Sequence, residues 1–224
     1  EDKGFPFAEL SAAGYHALHN GQKTYNGVAI LSRTPAEEVR FDIPGFADEQ
    51  KRVIAATIGG VRIVCAYMPN GQAVGSDKYD YKLRWLAALQ AMLREDLRLW
   101  PQLALLGDYN IAPEDADVHD PVAWKDQILC SEPERAAFRG LLDLGLSDAF
   151  RLFEQAPKSY SWWDYRQMGF RLNRGLRIDH ILLSGPLAAT CRACVIDKAP
   201  RKLERPSDHA PVLATLATPE PVAP

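Results

Sequence analysis

The sequence predicts an α/β domain in which two packed sheets are covered by helices. Short apolar runs bounded by turn residues recur along the chain, and only two longer segments carry apolar residues at helical spacing. Those helices are separated by runs of strands instead of alternating with them one by one, which argues against a simple βαβ wheel. The 224 residues fit one domain, and a 47% hydrophobic content is enough to fill its core. The expected domain runs over 1–217. The Pro-rich end, Thr218 to Pro224, is expected to be extended or flexible.

Taken in order, Gly27-Val-Ala-Ile-Leu-Ser32 reads as a strand. Val53 to Ile58 and Val61 to Tyr67 read as two more, joined at Gly59-Gly60, a two-residue hairpin signal. From Lys78 to Leu99, Tyr79, Leu83, Leu86, Leu89, Leu93 and Leu97 recur on one helical face, and Pro101 ends the run. Leu103 to Leu106 is a buried strand ending at Gly107-Asp108. Ser131-Glu-Pro-Glu134 is a capping box, and the helix it opens presents Phe138, Leu141 and Leu142 to the core. Ile178 to Leu183, Thr190 to Ile196 and Pro211 to Leu216 complete the strands.

Composition excludes little. No apolar run approaches the ~20 residues of a membrane span, and no membrane partner is expected. Cys191 and Cys194 form a C-x-x-C without the second ligand pair that structural zinc needs. With Cys65 and Cys130 they read as reduced and inert, which fits a cytoplasmic protein. A formal net charge of −3 weighs mildly against a nucleic-acid binder. Between Arg166 and Arg205, however, nine Lys/Arg face three acids, a local field that can hold phosphates, although a solvated face gives the same pattern.

The chemistry collects at strand ends. Residues two apart in extended chain point the same way, so Asp108 and Asn110 of Gly107-Asp-Tyr-Asn110 face one point just past a buried strand. A carboxylate and an amide there suit a water and a phosphate oxygen, although an Asx turn explains them too. Asp179 opens a second apolar strand, while His180, beside it, points to the opposite face and reads as structural. Ser207-Asp-His209 precedes a third, and His209 is the best acid–base candidate among five histidines. His16, His19 and His119 read as exposed loop residues. Tyr67-Met-Pro-Asn70-Gly71 falls at a fourth strand end. Four such ends converging on one edge of a packed sheet is a common way to build an active site. Ser161-Trp-Trp-Asp-Tyr-Arg166 adds aromatics that can stack on bases or a sugar, with one tryptophan of the pair expected in the core.

Together with Asn173-Arg-Gly-Leu-Arg-Ile-Asp179 and Pro206-Ser-Asp-His-Ala-Pro211, these segments resemble, in order and over nearly the whole chain, the exodeoxyribonuclease III/abasic-site endonuclease family of the endonuclease/exonuclease/phosphatase superfamily. The resemblance implies a four-layer α/β sandwich and hydrolysis of phosphodiesters in duplex DNA, at abasic sites or 3′ ends, by a monomer using Mg²⁺ or Mn²⁺. It implies that Asp108 activates or positions the attacking water, that Asn110 contacts the scissile phosphate, and that His209, paired with Asp179, stabilises the phosphate or moves a proton. It further implies that Tyr67 contacts the phosphate or leaving group and that Asp208 lies at the metal. Asn70, Asn173, Arg174 and Arg177 would bind phosphate or DNA, and Trp162, Leu176 and Ile178 would line the pocket for a flipped-out abasic sugar.

The family opens with strands that this sequence does not show, the second ending in a Glu that is a principal metal ligand. Glu1 sits in the loop that follows, so the chain is expected to lack the first strand or strands, to bind metal weakly and to be nearly inactive alone. A phosphatase of the same superfamily acting on phosphoinositides or phospholipids would share Asp108, Asn110 and Ser207-Asp-His209. A non-catalytic DNA-binding fragment is the third reading.

Overall fold

The computed structural model describes residues 2–217; the Pro-rich tail lies outside them. Among the described residues, ten strands and four α-helices follow one another as β1 (His16–Gly21), β2 (Gly27–Ser32), β3 (Glu37–Phe41), β4 (Val53–Ile58), β5 (Val61–Ala66), β6 (Leu103–Asp108), β7 (Leu146–Asp148), β8 (Asp179–Ser184), β9 (Cys191–Ile196) and β10 (Val212–Leu216), with α1 (Phe7–Ala12) before β1, α2 (Asp77–Leu99) before β6, α3 (Glu132–Leu142) before β7 and α4 (Gly185–Thr190) before β9.

The centre is a six-stranded sheet in the order β3-β4-β5-β6-β8-β7. Its pairs are antiparallel except β5 with β6, which run parallel because α2 carries the chain back across the sheet. Period-two alternation divides the sheet into two apolar faces. Val53, Ala55, Val64, Ala66, Leu103, Leu105 and Leu182 point to one of them, where α2 and α3 bring Trp85, Leu86, Leu89, Leu93, Phe138 and Leu141. On the other, Ile54 and Ala56 meet Val28 and Ile30 of the β1-β2 pair. Ala104 and Leu183 there meet Cys191, Cys194 and Val212 of the β9-β10 pair. This is a layered α/β sandwich, as expected.

The second layer is two separate two-stranded sheets. Between them Cys65, Leu106 and Ile181 of the central sheet are only half-buried. All four cysteines are free thiols, and burial pushes the Cys130 and Cys194 thiols up to about 12, so they stay protonated and unreactive.

Gly59 and Gly60 both take positive φ, as a tight hairpin turn demands. Gly107 is required for a different reason. At φ +143° it passes so close to β5 that a Cβ would lie 2.0 Å from the Ala66 carbonyl oxygen. The close approach delivers Asp108 at the strand end. The capping box at Ser131 is present on both sides. His16 and His19 belong to β1 and not to a loop; Asn20 and Gly21 disguise the strand, and His19 stacks on Phe5 at 4.3 Å.

Candidate active site

Asp108 ends β6 and Asp179 begins β8, and the antiparallel ladder pairs them directly. This register sets two carboxylates face to face at the sheet edge. The segment after Ser207 runs beside Ser161–Trp163, held by Trp163 N–H to the Asp208 carbonyl at 3.0 Å and Ala210 N–H to the Ser161 carbonyl at 2.7 Å. It sets His209 Nδ1 at 3.0 and 2.9 Å from the two Asp179 carboxylate oxygens. Ser161, read from sequence only as part of a motif, holds the other side of this pair. Its hydroxyl donates to Asp179 Oδ2 at 2.7 Å and accepts the Ile178 and Asp179 amides, each at 3.1 Å.

On the opposite wall the Asn110 backbone amide donates to Asp108 Oδ1 at 2.8 Å, and Asn110 Nδ2 donates to Asp108 Oδ2 and to the Met68 carbonyl, both at 3.0 Å. Asn70 Nδ2 donates to Asn110 Oδ1 at 3.1 Å. Asn110 holds a left-handed φ of +49°, a conformation asparagine tolerates better than most residues. Arg52 lies over the Tyr67 ring and donates to its carbonyl at 3.0 Å. Trp162 Nε1 donates to Asp208 Oδ2 at 3.0 Å.

These residues line a cleft of about 760 Å³. Tyr67, Asn70, Asp108, Asn110, Trp162, Arg174, Ile178, Asp208 and His209 all face it, and Asp179 lies behind His209. Burial, then the charge of Asp179, raises the Asp108 pKa to about 7, against the opposing pull of His209 and the Asn110 amide. For His209 burial acts to lower the pKa, but the hydrogen bond to Asp179 and the charges of Asp179, Asp108 and Asp208 outweigh it and lift the value to about 9. The site therefore holds a carboxyl that can trade a proton near neutral pH beside an imidazole that keeps its own.

Three residues expected at the DNA do not reach the cleft. Arg177 is 1% exposed, and its guanidinium donates to Asp117 and Asp148 and has no reach left for a phosphate. Leu176 is 0% exposed, packed with Val118 and Leu129 behind the wall. Asn173 accepts from Trp163 Nε1 at 3.2 Å and donates to the Lys158 carbonyl at 3.1 Å, so it shapes the loop. The basic stretch is likewise divided, with Arg166 and Arg174 at the cleft and Arg201 buried. Trp162 faces the cleft while Trp163 is core. His119 and Trp124 also line the cleft. His119, expected to be loop-exposed, is half-buried against Trp124 and the Gly175 carbonyl. Polar neighbours in sequence gave no sign that this segment folds back over the site.

His180 is structural, 1% exposed between Arg177 and the Ile111 carbonyl. Burial, reinforced by the charge of Arg177, lowers its pKa to about 3. The unfolded chain therefore takes up this proton first as pH falls below about 6.5, and stability drops toward pH 3 by up to about 1.4 kcal/mol per pH unit. His209 works in the other direction. Its contribution is complete below about pH 6.5 and is lost as pH rises through about 9. Asp108, raised to about 7, works against His180 between pH 6.5 and 5, so the test is a difference: the urea midpoint of His180→Gln relative to the wild type is expected to rise as pH falls over that range, and a difference that stays constant contradicts the assignment.

The donor set at the cleft is poor for the expected divalent ion. Among the described residues no group of three His, Cys, Asp or Glu converges to hold one. Asp108 is tied to Asn110, Asp179 to Ser161 and His209, and Asp208 shares one oxygen with Trp162. Mg²⁺ is content with few carboxylates and several waters, but Asp208 by itself is not a site, so the residues present do not fit the ion.

Residues 2–209 match the sequence model of the Endonuclease/Exonuclease/phosphatase family. The chain is 38% identical to an exodeoxyribonuclease III of Haemophilus influenzae over 95% of this chain and 85% of that protein. It superposes with TM-score 0.96 and 47% identity on a 3′ phosphatase from Neisseria bound to a product DNA hairpin, over 97% of this chain and 85% of the other. An AP endonuclease from Archaeoglobus fulgidus gives TM-score 0.93 at 35% identity, with the same coverage.

Proposed function

We infer the reaction from one premise, that this chain belongs to the endonuclease/exonuclease/phosphatase family. It is a DNA-repair nuclease of the exodeoxyribonuclease III type, a hydrolase of phosphodiester bonds. The finer reading is that it cuts duplex DNA at abasic sites or trims 3′ ends, with Mg²⁺ or Mn²⁺. The observation that carries it is the pairing of Asp108 with Asp179 across the β6–β8 ladder, with His209 held on Asp179 and Asn110 held on Asp108.

Hydrolysis of a phosphodiester needs a positioned water, positive charge on the phosphoryl oxygens and help for the leaving oxygen. Asp108, poised near neutral pH, takes the proton from the water. His209 bonds Asp179 through Nδ1, which leaves Nε2–H to donate to a phosphoryl oxygen. The Asn70 amide, held by Asn110 Oδ1 through one proton, has its other proton free to fix the phosphate's orientation. Tyr67, on the same wall, serves the leaving oxygen. A divalent metal, if held, would supply Lewis-acid charge at the phosphate. Because the donor set on this chain does not hold it, no step here runs through it.

Trp162 and Ile178 give the cleft an apolar wall, and Arg166 and Arg174 a basic rim. A sugar without a base costs little to extrude, and a wall of this kind selects it. The test is a substrate comparison. With the chain extended at its N-terminus by the opening strands of an exodeoxyribonuclease III, cleavage of a duplex carrying an abasic analogue or a recessed 3′ end, with no release of phosphate from a phosphoinositide, is the expected result. Turnover of the phosphoinositide alone overturns it.

A further inference from the structure

A cation that sequence reading passed over lies directly behind the site. Lys82 belongs to the buried face of α2, where periodicity calls for an apolar residue, and its side chain is 0% exposed. An ammonium has three protons and needs three acceptors when buried. Lys82 Nζ has three. It donates to the Asn110 carbonyl at 2.7 Å, to the Asn70 carbonyl at 3.2 Å and to Glu134 Oε1.

Each acceptor belongs to a different segment, and two of them carry the amides that face the cleft. Glu134 extends the network. It is 0% exposed, its Oε1 also accepts the Leu129 amide at 3.1 Å, and its Oε2 accepts the Ser131 amide at 3.1 Å and the Ser131 hydroxyl at 2.6 Å. Leu129 ends the segment that brings Trp124 and Ile128 to the cleft wall. The lysine stem is accommodated by Gly71, at φ +89°, where a Cβ would lie 3.1 Å from Lys82 Cδ. Burial pulls the Lys82 pKa down, and Glu134 works against that.

We propose that Lys82 is a positioning residue, a buried ammonium whose bonds to the Asn70 and Asn110 carbonyls set the two side-chain amides so that Asn110 holds Asp108 and the Asn70 amide that receives the phosphate. Asn110 is where this matters most, since its carbonyl takes the shorter of the two bonds, at 2.7 Å, and its side chain holds both Asp108 and Asn70. An apolar residue at 82 would fill the same core volume, but it would leave both carbonyls unbonded and Glu134 an unpaired buried charge. The role of the two amides rests on the nuclease reading. The experiment reads their geometry directly, so it succeeds or fails whether or not DNA is the substrate.

The test is nuclear magnetic resonance on ¹⁵N-labelled protein. In the wild type the Lys82 ammonium is expected to give its own signal, exchanging with water at least about tenfold more slowly than exposed Lys78 on the same helix. In Lys82→Met combined with Glu134→Gln, which removes the stranded carboxylate, the Asn70 and Asn110 side-chain amide signals are expected to shift and to exchange about tenfold faster. Backbone amides of Ala55 and Val64 in the core sheet should hold their rates, and Lys82→Arg should restore the asparagine signals. Asparagine signals unchanged in the folded double variant overturn the proposal, as does acceleration shared equally with the core amides. If that variant does not fold, the wild-type signal decides. A Lys82 ammonium exchanging as fast as that of Lys78 overturns the clamp.

Discussion

Asp108→Asn is expected to lower kcat by about 10³-fold, in the range lost when a positioned general base is removed. The baseline is a chain extended at its N-terminus by the opening strands of an exodeoxyribonuclease III. The substitution keeps the size of the side chain and its acceptor toward the Asn110 amide, so KM should move by no more than a few-fold, the mark of a group that acts in the transition state. The sensitivity comes from the buried place of Asp108 at the strand end and from its pairing across the ladder. Burial, and then the charge of Asp179 facing it, bring the proton affinity of Asp108 close to neutral. An asparagine there can hold a water but cannot accept its proton. A variant within tenfold of the parent rate removes Asp108 from the base role.

Losing His209 is expected to cost almost as much. His209→Gln should lower kcat about 10²- to 10³-fold, since it removes a charged donor aimed at the phosphoryl oxygens. Asp179→Asn should reach a similar loss by a different route, because Asp179 orients the imidazole and holds its charge. The two act as one unit, so the double variant should be little worse than the poorer single one. Multiplying losses would mean that the two act independently, against the 2.9 Å contact between them.

Much of this was legible in the sequence because local chemistry and global fold agree where the core is dense. The α2 stripe, the Gly59-Gly60 hairpin and the capping box at Ser131 are each specified by residues within a few positions. The convergence of Asp108, Asp179 and His209 was readable because each ends or opens an apolar strand. β1, β3 and β7 escaped. They are short or half-exposed, with His16, His19, Glu37 and Glu38 where apolar residues would have signalled a strand.

The errors at the site share a cause. A basic residue in a motif looks the same whether its partner is a phosphate or a buried acid. Arg177 meets Asp117, sixty positions away in the chain, and no local pattern announces that. Lys82 was hidden for the converse reason, since it occupies a core position of a helix whose apolar neighbours explain the stripe without it. His119 was missed because a loop that folds back over the cleft has no periodicity to read.

Metal-assisted phosphodiester cleavage has its acid–base residues on this chain, but the described residues do not by themselves hold the ion. The measurement that tests this most directly is cleavage of a labelled duplex carrying one abasic analogue, by residues 1–224 and by the N-terminally extended chain, each with Mg²⁺ and with chelator. The extended chain is expected to cut only with Mg²⁺, and residues 1–224 at least about 10²-fold more slowly, in keeping with the several kcal/mol that a bound metal contributes. Cutting by residues 1–224 at the extended chain's rate would contradict the account, and so would a folded extended chain that leaves the duplex intact.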